Sequence, residues 1–179
     1  MADRDRLTLE TGLADEPEVG RWLAAMEDSR RDTLTELEGV TEEILDARPP
    51  ESENTIGATL YHVALIEADW LFDDLLGQDL GTTELASLFP FGARDEQGIL
   101  TGVAGVPLTE HLDRLARVRA VLLDRIGPMS VEDFTTPRAR EGYDLSAVWM
   151  IHHLLQHESE HRSEIGWLRR HSRASSSRP

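Results

Sequence analysis

Apolar residues recur at helical spacing in four long segments of this 179-residue chain, and helix-breaking residues separate the segments. Apolar positions three and four residues apart share one face of an α-helix, so each segment predicts a helix with at least one buried face. The predicted helices span residues 17–39, 55–76, 109–126 and 146–171. Strand signals between them are few. The pattern therefore favours an all-α fold, a four-helix bundle within one domain.

The residues at the segment boundaries are those that begin and end helices. Glycine closes the first three segments, at Gly39, Gly77 and Gly127, and glycine is favoured just after a helix. Asn54 or Thr55 can cap the second helix, because both side chains accept a hydrogen bond from the backbone at a helix start. The two candidate caps of the fourth helix are Asp144 and Ser146.

Residues 77–107 form a long connection between the second and third predicted helices. A structureless loop of this length is uncommon in a compact domain, so we expect a short helix near residues 83–88 and a role as a pocket wall or lid. Residues 128–143 are polar and are expected to be irregular. The predicted domain covers residues 17–171, after an irregular lead-in at 1–16 and before a disordered tail at 172–179.

Charge and composition exclude several functional classes. The net charge of −16 disfavours binding to nucleic acid, because a surface this acidic repels phosphate groups. Cysteine and lysine are both absent, which removes cysteine nucleophiles, cysteine-bound zinc, disulfides and lysine Schiff bases. A Gly-x-Ser-x-Gly nucleophile motif is also absent. The sequence shows no long apolar run and no secretory leader, so we expect no membrane segment and a cytoplasmic location.

Three histidines form the strongest candidate site. His157 and His161 lie four residues apart on the fourth predicted helix, so they share one face about one turn apart. His62 lies on the second helix, and facing helices of a bundle can bring it close to that pair. Imidazole binds Zn²⁺, Ni²⁺ and Fe²⁺, and three protein ligands with one open position are typical of catalytic zinc. The hypothesis is a divalent-metal centre.

Neighbouring residues leave alternatives open. A histidine pair with this spacing is often structural. His153 extends the row by one turn and competes with His161 as the third ligand, because such a row drifts around the helix and cannot easily point at one ion. The acidic residues Glu158, Glu160 and Glu164 are expected on the solvated face, and Glu158 is positioned to pair with Arg162. His111 and His152 are expected at the surface or boundary, as are Asp69 and Asp73.

Residues 157–161 also match the His-Glu-x-x-His pattern of zinc proteases. That class normally has a third ligand downstream, and only His171 follows in this chain. It also has a sheet over the helix, which this sequence does not predict. The protease interpretation is therefore disfavoured.

Three stretches together resemble the DinB/YfiT-like superfamily of four-helix metalloproteins, within it the branch of mycothiol-dependent S-transferases. Residues 39–44 (Gly-Val-Thr-Glu-Glu-Ile) are similar to the turn after the first helix of that family. Residues 55–64 (Thr-Ile-Gly-Ala-Thr-Leu-Tyr-His-Val-Ala) resemble the start of its second helix. Residues 154–165 (Leu-Leu-Gln-His-Glu-Ser-Glu-His-Arg-Ser-Glu-Ile) resemble its last-helix motif, with Ser163 and Glu164 in place of Gly and Gln.

The resemblance implies a metal held by His62, His157 and His161, which chooses His161 over His153. It also implies a protein that adds a low-molecular-weight thiol to an electrophilic small molecule, and a homodimer. Separately, the use of Arg without Lys and the many Ala, Leu, Gly and Asp residues indicate a GC-rich bacterial genome. We expect the substrate pocket wall to include the following four residues: Trp70, Phe89, Phe91 and Arg94. The alternatives are a non-catalytic, stress-related module that binds a metal or ligand, and a metal-dependent hydrolase that uses the same site.

Overall fold

The computed structural model describes residues 7–176 and confirms the all-α fold. Helices α1 and α2 are followed by α3, which bears the first candidate ligand, and later by α4, α5 and α6. A two-stranded hairpin lies between α5 and α6. The bounds are α1 Pro17–Glu36, α2 Glu42–Asp46, α3 Ile56–Asp69, α4 Leu108–Ile126, α5 Val131–Thr135, β1 Arg138–Arg140, β2 Tyr143–Leu145 and α6 Ala147–Ser176.

Capping residues decide where the long helices start. The hydroxyl of Thr55 accepts a hydrogen bond of 3.1 Å from the backbone N–H of Ala58, so Thr55 rather than Asn54 caps α3. At α6, the hydroxyl of Ser146 accepts one of 3.3 Å from the N–H of Trp149, so this helix is capped by Ser146. Each such cap satisfies a backbone donor that the helix itself leaves without a partner.

Helix α3 continues into a π-helical segment, Trp70–Leu76. The predicted end at Gly77 is confirmed, and its φ of 66° is the left-handed conformation that glycine adopts without steric cost. The sequence predicted one regular helix here, and the wider winding of its last part was not foreseen. Single π-helical turns often lie at functional sites, and this one carries Trp70.

The bundle packs around α3 and α6. Helix α6 lies against α1 and α3, and α3 lies against α4 on its other side. Burial on several sides explains why nearly every residue of α3 is apolar or small. The core includes the following fully buried side chains from α1, α3 and its continuation, α4 and α5: Leu23, Met26, Tyr61, Phe72, Leu115 and Phe134. Burying one such side chain contributes roughly 1.5–3 kcal/mol relative to leaving it in water.

Residues 128–143 are more regular than predicted. They contain α5 and β1, and β1 pairs antiparallel with β2 so that Ala139 lies opposite Asp144. The guanidinium of Arg140 donates to the carbonyls of Asp74 and Leu75, which attaches the hairpin to the end of the π-helical segment. These segments are too short for a periodic apolar pattern, which is why the sequence did not indicate them.

The long connection at residues 77–107 contains two single 3₁₀ turns, Leu80–Thr82 and Ala86–Leu88, where one short helix was expected. The chain ends also differ from the prediction in part. Residues 7–16 contain turns without helix or strand, and α6 continues to Ser176, so residues 172–176 are helical rather than disordered. The remaining residues of the predicted lead-in and tail, 1–6 and 177–179, lie outside the described part of the chain.

Four charged side chains, one from each long helix, meet inside the bundle. Arg30 of α1 and Arg119 of α4 are 6% and 4% exposed, and Glu67 of α3 and Glu158 of α6 are each 3% exposed. We call these four residues the ion network. Each arginine binds both carboxylates, with N–O distances that include 2.6 Å from Arg30 to Glu158 and 2.7 Å from Arg119 to Glu67.

Further acceptors complete the ion network. Arg30 also donates to the carbonyl of Leu115, and Arg119 donates to the carbonyl of Met26 and to the partly exposed carboxylate of Glu27. Burial alone would raise the pKa of Glu67 and lower that of Arg119, but the facing opposite charges reverse both shifts. Glu67 and Arg119 are therefore ionised in the folded protein.

The ion network corrects one prediction. Glu158 was expected on the solvated face in a pair with Arg162, and the structure instead buries it between two arginines of other helices. Arg162 pairs with Asp32 of α1. Glu160 is exposed, as predicted. Among the helices that the structure describes, none has the length and apolar character that crossing a membrane requires.

Replacing Arg119 with methionine should lower the free energy of unfolding by about 3–5 kcal/mol, because it leaves two buried carboxylates without their main partner. Urea denaturation of the full-length chain measures this. The matched control is Arg21→Met, which removes a solvent-exposed pair with Glu18 and should change stability by less than about 0.5 kcal/mol. Equal effects of the two substitutions would show that the ion network does not stabilise the fold.

Candidate metal centre

The three predicted histidines meet between α3 and α6. Nε2 of His62 lies 3.2 Å from Nε2 of His157, and the His161 ring lies 4.5 Å from the ring of His157, centre to centre. One nitrogen of each histidine can be chosen so that all three lie within 4.8 Å of one another. His157 and His161 share a face of α6 because they are one turn apart, and α3 presents His62 to that face. We call these three residues the histidine centre.

Two imidazoles of the histidine centre, those of His62 and His157, are held in their neutral form. Burial, followed by the nearby His161 and Arg94, lowers the pKa of His62 to about 4. Burial and the neighbouring histidines lower the pKa of His157 to about 3. A neutral imidazole has a free lone pair, which is the form that binds a metal ion. Near neutral pH, a cation would therefore not have to displace protons from these two residues.

Two polar residues orient the third ligand. Nδ1 of His161 lies 2.9 Å from one carboxylate oxygen of Glu164, and Asn54 donates to the other oxygen at 2.7 Å. The hydrogen bonds with His161 and Asn54 lower the pKa of Glu164 despite its burial. Because Nδ1 of His161 is engaged with Glu164, Nε2 is the nitrogen left available to bind a metal ion. A carboxylate behind a histidine is the usual way in which proteins fix the ligand tautomer.

His153 belongs to a different cluster. Its ring stacks on that of Trp149, with an interplanar angle of 8° and centroids 5.4 Å apart, and it lies 4.6 Å from the ring of Trp70. It is 6.1 Å from His157 and is not part of the group of potential metal ligands. The drift of the helical row therefore separates His153 from His161, as their spacing indicated.

The histidine centre fits a divalent cation. Its donors are three imidazole nitrogens, and the described residues include no fourth potential ligand in the same group. Nδ1 of His62 is buried and has no hydrogen-bond partner in the described part of the chain. The backbone of Ala93 has a small opposing effect, which raises the pKa of His62. Three nitrogen donors with one open position suit Zn²⁺, Ni²⁺ or Fe²⁺.

Glu158 cannot serve as the base of a zinc protease. In that class the glutamate of the His-Glu-x-x-His motif faces the metal and activates water. Here its carboxylate faces Arg30 and Arg119 in the interior of the bundle, and the described strands form only a two-stranded hairpin. The match to the motif is therefore a coincidence of spacing.

The structure places the four residues predicted as pocket wall in different surroundings. Trp70 borders a cavity of about 600 Å³, which we call the indole pocket. Arg94 borders a separate cavity of about 690 Å³, which we call the loop cavity, together with residues 50–54 and 97–100. Phe89 packs edge-on against Tyr61, and Phe91 is 56% exposed while its backbone is bonded to the hydroxyl of Tyr61.

The indole pocket lies where three elements meet. Its walls are Ile66, Asp69, Trp70 and Asp74 from α3 and its π-helical continuation, Tyr143–Leu145 from β2, and Trp149 from α6. Asn54 lines the loop cavity, and its side chain donates a hydrogen bond to Glu164, which contacts His161 of the histidine centre.

Two supporting residues and one buried histidine were not identified from the sequence. Glu164 was expected in solvent, and Asn54 was considered only as a cap, although the spacing of Glu164 three residues after His161 is a usable signal. His111 was expected near the surface but is 1% exposed. Burial first, and then the charge of Arg114, lowers its pKa to about 4.

A comparison with known protein families supports the resemblance of this sequence to the DinB/YfiT-like superfamily. Residues 25–165 match the family described as the DinB superfamily, which is more than half of the chain and includes all three histidines of the centre. No curated protein matches the sequence.

Substituting His62 with alanine should abolish stoichiometric metal binding, because it removes the ligand that α3 supplies. Titration calorimetry with Zn²⁺ on the apo-protein measures this, and elemental analysis of protein purified without a metal-chelating tag gives the occupancy. His153→Ala is the matched control, since it lies on the same histidine row and should keep one metal per chain. Loss of binding in the His153 variant alone would contradict the assignment.

Substituting Glu164 with alanine should weaken metal affinity by about 10–100-fold, because His161 loses the group that orients it. Glu164→Gln should have a smaller effect, since its amide oxygen still accepts a hydrogen bond from Nδ1. Competition with a metal chelator of known affinity measures both. Glu160→Ala, an exposed change on the same helix, should leave the affinity unaltered; an equal loss there would argue for a general charge effect.

Proposed function

The chain belongs to the DinB superfamily, and we propose that it is a metal-dependent enzyme that transfers a low-molecular-weight thiol to an electrophilic small molecule. The observation that supports this most directly is the composition of the histidine centre. Three neutral ligands leave the full charge of a divalent cation uncompensated, so an anion is favoured at the open position. A bound cation would lower the pKa of a thiol that coordinates it.

The surroundings of the histidine centre favour thiol transfer over hydrolysis. Metal-dependent hydrolysis is assisted by a group that takes a proton from the metal-bound water, and the nearby carboxylates are already engaged. Glu158 binds two arginines, and Glu164 binds His161 and Asn54. Thiol transfer makes a smaller demand, because a thiol is far more acidic than water and can lose its proton directly to solvent. Metal-dependent hydrolysis is therefore the second candidate.

Arg94 is the residue best placed to attract the substrates. Its positive charge is close enough to lower the pKa of His62, and its side chain borders the loop cavity. The guanidinium donates to the carbonyl of Gly98 at 2.7 Å, which holds it at the rim. A fixed cation there favours a thiol or an electrophile that carries a carboxylate. The cavity volume of about 690 Å³ lies within the range of small-molecule sites.

The proposed reaction joins the sulfur of the thiol to an electrophilic carbon. The leaving group departs with the electron pair of the bond that breaks, and the thiol proton passes to solvent. In this scheme the chain itself orients the ligands through Glu164 and Asn54, excludes bulk water from His62 by burial, and attracts acidic substrate groups through Arg94. The identity of the thiol, with mycothiol as the first choice, comes from the resemblance to the S-transferase branch.

The test is turnover of mycothiol or glutathione with a general electrophile such as 1-chloro-2,4-dinitrobenzene. The reaction is monitored through the absorbance of the thioether product. The protein is loaded in turn with Zn²⁺, Ni²⁺ and Fe²⁺. We expect turnover that His62→Ala lowers at least about 100-fold, as loss of a metal ligand should, and that His153→Ala retains. Absence of turnover with every metal and both thiols would contradict the proposal.

The same variants separate the two alternatives. If the protein is a non-catalytic, stress-related module that binds a metal or ligand, His62→Ala should lower the melting temperature in proportion to the lost metal, and no substrate should turn over. If it is a hydrolase, ester or amide substrates should be cleaved by the metal-loaded protein without added thiol.

A further inference from the structure

The indole pocket combines aromatic and acidic walls. Trp70 and Trp149 meet with ring centroids 5.5 Å apart, and Tyr143 approaches from the hairpin. Trp149 is 50% exposed and Tyr143 is 45% exposed, so much of their aromatic surface faces solvent. Three aromatic side chains from three separate elements thus border one cavity of about 600 Å³.

Three carboxylates of the indole pocket take part in no ion pair of the described residues. Asp69, Asp74 and Asp144 border it, no arginine is among its lining residues, and none of the three forms an ion pair within residues 7–176. Asp74 accepts a hydrogen bond from the Tyr143 hydroxyl, and the guanidinium of Arg140 donates to the backbone carbonyl of Asp74. Burial, together with the neighbouring Asp73 and Asp74, raises the pKa of Asp69 to about 6. Three carboxylates thus meet at this wall beside one arginine that is not ion-paired with any of them in the described part of the chain.

This combination selects one class of ligand. An anion would be repelled, and a neutral apolar molecule would leave the carboxylates uncompensated. A small, hard metal ion binds oxygen ligands and would not be coordinated by indole rings. An alkylated ammonium group uses both features, because aromatic faces attract its diffuse charge and the carboxylates neutralise it. We propose that the indole pocket is a binding site for a small organic cation with an alkylammonium group.

The indole pocket is distinct from the histidine centre but adjoins it. His153 lies between the two, with its ring 4.6 Å from Trp70 and 6.1 Å from His157. None of the three ligand histidines borders the indole pocket. Cation binding therefore does not require the metal, and it goes beyond the proposed thiol chemistry.

The test compares choline with its neutral isostere, 3,3-dimethylbutan-1-ol. Both are titrated into the ¹⁵N-labelled full-length chain, with and without added Zn²⁺, and the four tryptophan side-chain N–H signals are followed by NMR. We expect choline to bind at least about fivefold more tightly than the alcohol, because only choline gains the charge interactions. The signals of Trp70 and Trp149 should move, while those of Trp22 and Trp167, which lie elsewhere, should not.

Two variants identify the source of the preference. Trp149→Leu keeps an apolar wall but removes an aromatic face, so it should weaken choline binding at least about threefold and leave alcohol binding nearly unchanged. Asp144→Asn should also weaken choline binding alone. The matched control is Glu141→Gln, an exposed acidic residue of the same hairpin that does not border the indole pocket.

Three outcomes would overturn the proposal. The first is no choline binding at millimolar concentration by a protein that is folded. The second is equal binding of choline and the alcohol, which would make the indole pocket merely apolar. The third is a shift of the Trp70 and Trp149 signals with protein concentration alone, which would show that a second copy of the chain covers the indole pocket.

Discussion

The ion network is the interaction on which the arrangement of this bundle depends. It takes one charged side chain from each of α1, α3, α4 and α6 and places two positive and two negative charges inside the core. Apolar contacts tolerate small sliding movements of helices, because one methyl group can replace another at little cost. A buried charge cannot slide in this way, since every displacement that removes its partner leaves it uncompensated. The network thus penalises other registers of the four helices.

The same ion network also fixes the orientation of the helices that carry the histidine centre. Glu158 follows His157 on α6, so the carboxylate that reaches the two arginines also sets the rotation at which His157 faces α3. On α3, Glu67 lies five residues after His62 and serves the same purpose from the other side. A rotation of α6 by one residue would bring the charge toward the metal ligands and the imidazole into the core. The positions of the ligands are therefore determined by packing, before any metal arrives.

Much of this arrangement was accessible from the sequence, and the rest was not for identifiable reasons. Apolar periodicity located the long helices, Gly77 and Gly127 marked the ends of two of them, and the spacing of His157 and His161 with His62 located the centre. The first helix ends at Glu36, three residues before the predicted Gly39. The burial of Glu158 could not be predicted from local spacing. Glu158 and Glu160 are both acidic and lie two residues apart, and only the distant Arg30 and Arg119 decide which one is buried. Long-range pairing of this kind leaves no periodic trace in the local sequence. The hairpin at residues 138–145 was not predicted from the sequence, because the contacts that hold it are made to the backbone carbonyls of Asp74 and Leu75.

That attachment through backbone carbonyls has a consequence for how such a protein can change. Arg140 holds the hairpin without using the side chains of its neighbours, so Tyr143 and Asp144 can be exchanged while the hairpin stays in place. The residues that would hold the metal lie on two rigid helices and take no part in this wall. The hairpin wall of the indole pocket and the histidine centre are thereby encoded by separate stretches of chain. Substitutions in this one exposed hairpin can change the shape and charge of the pocket while the three histidines stay unchanged.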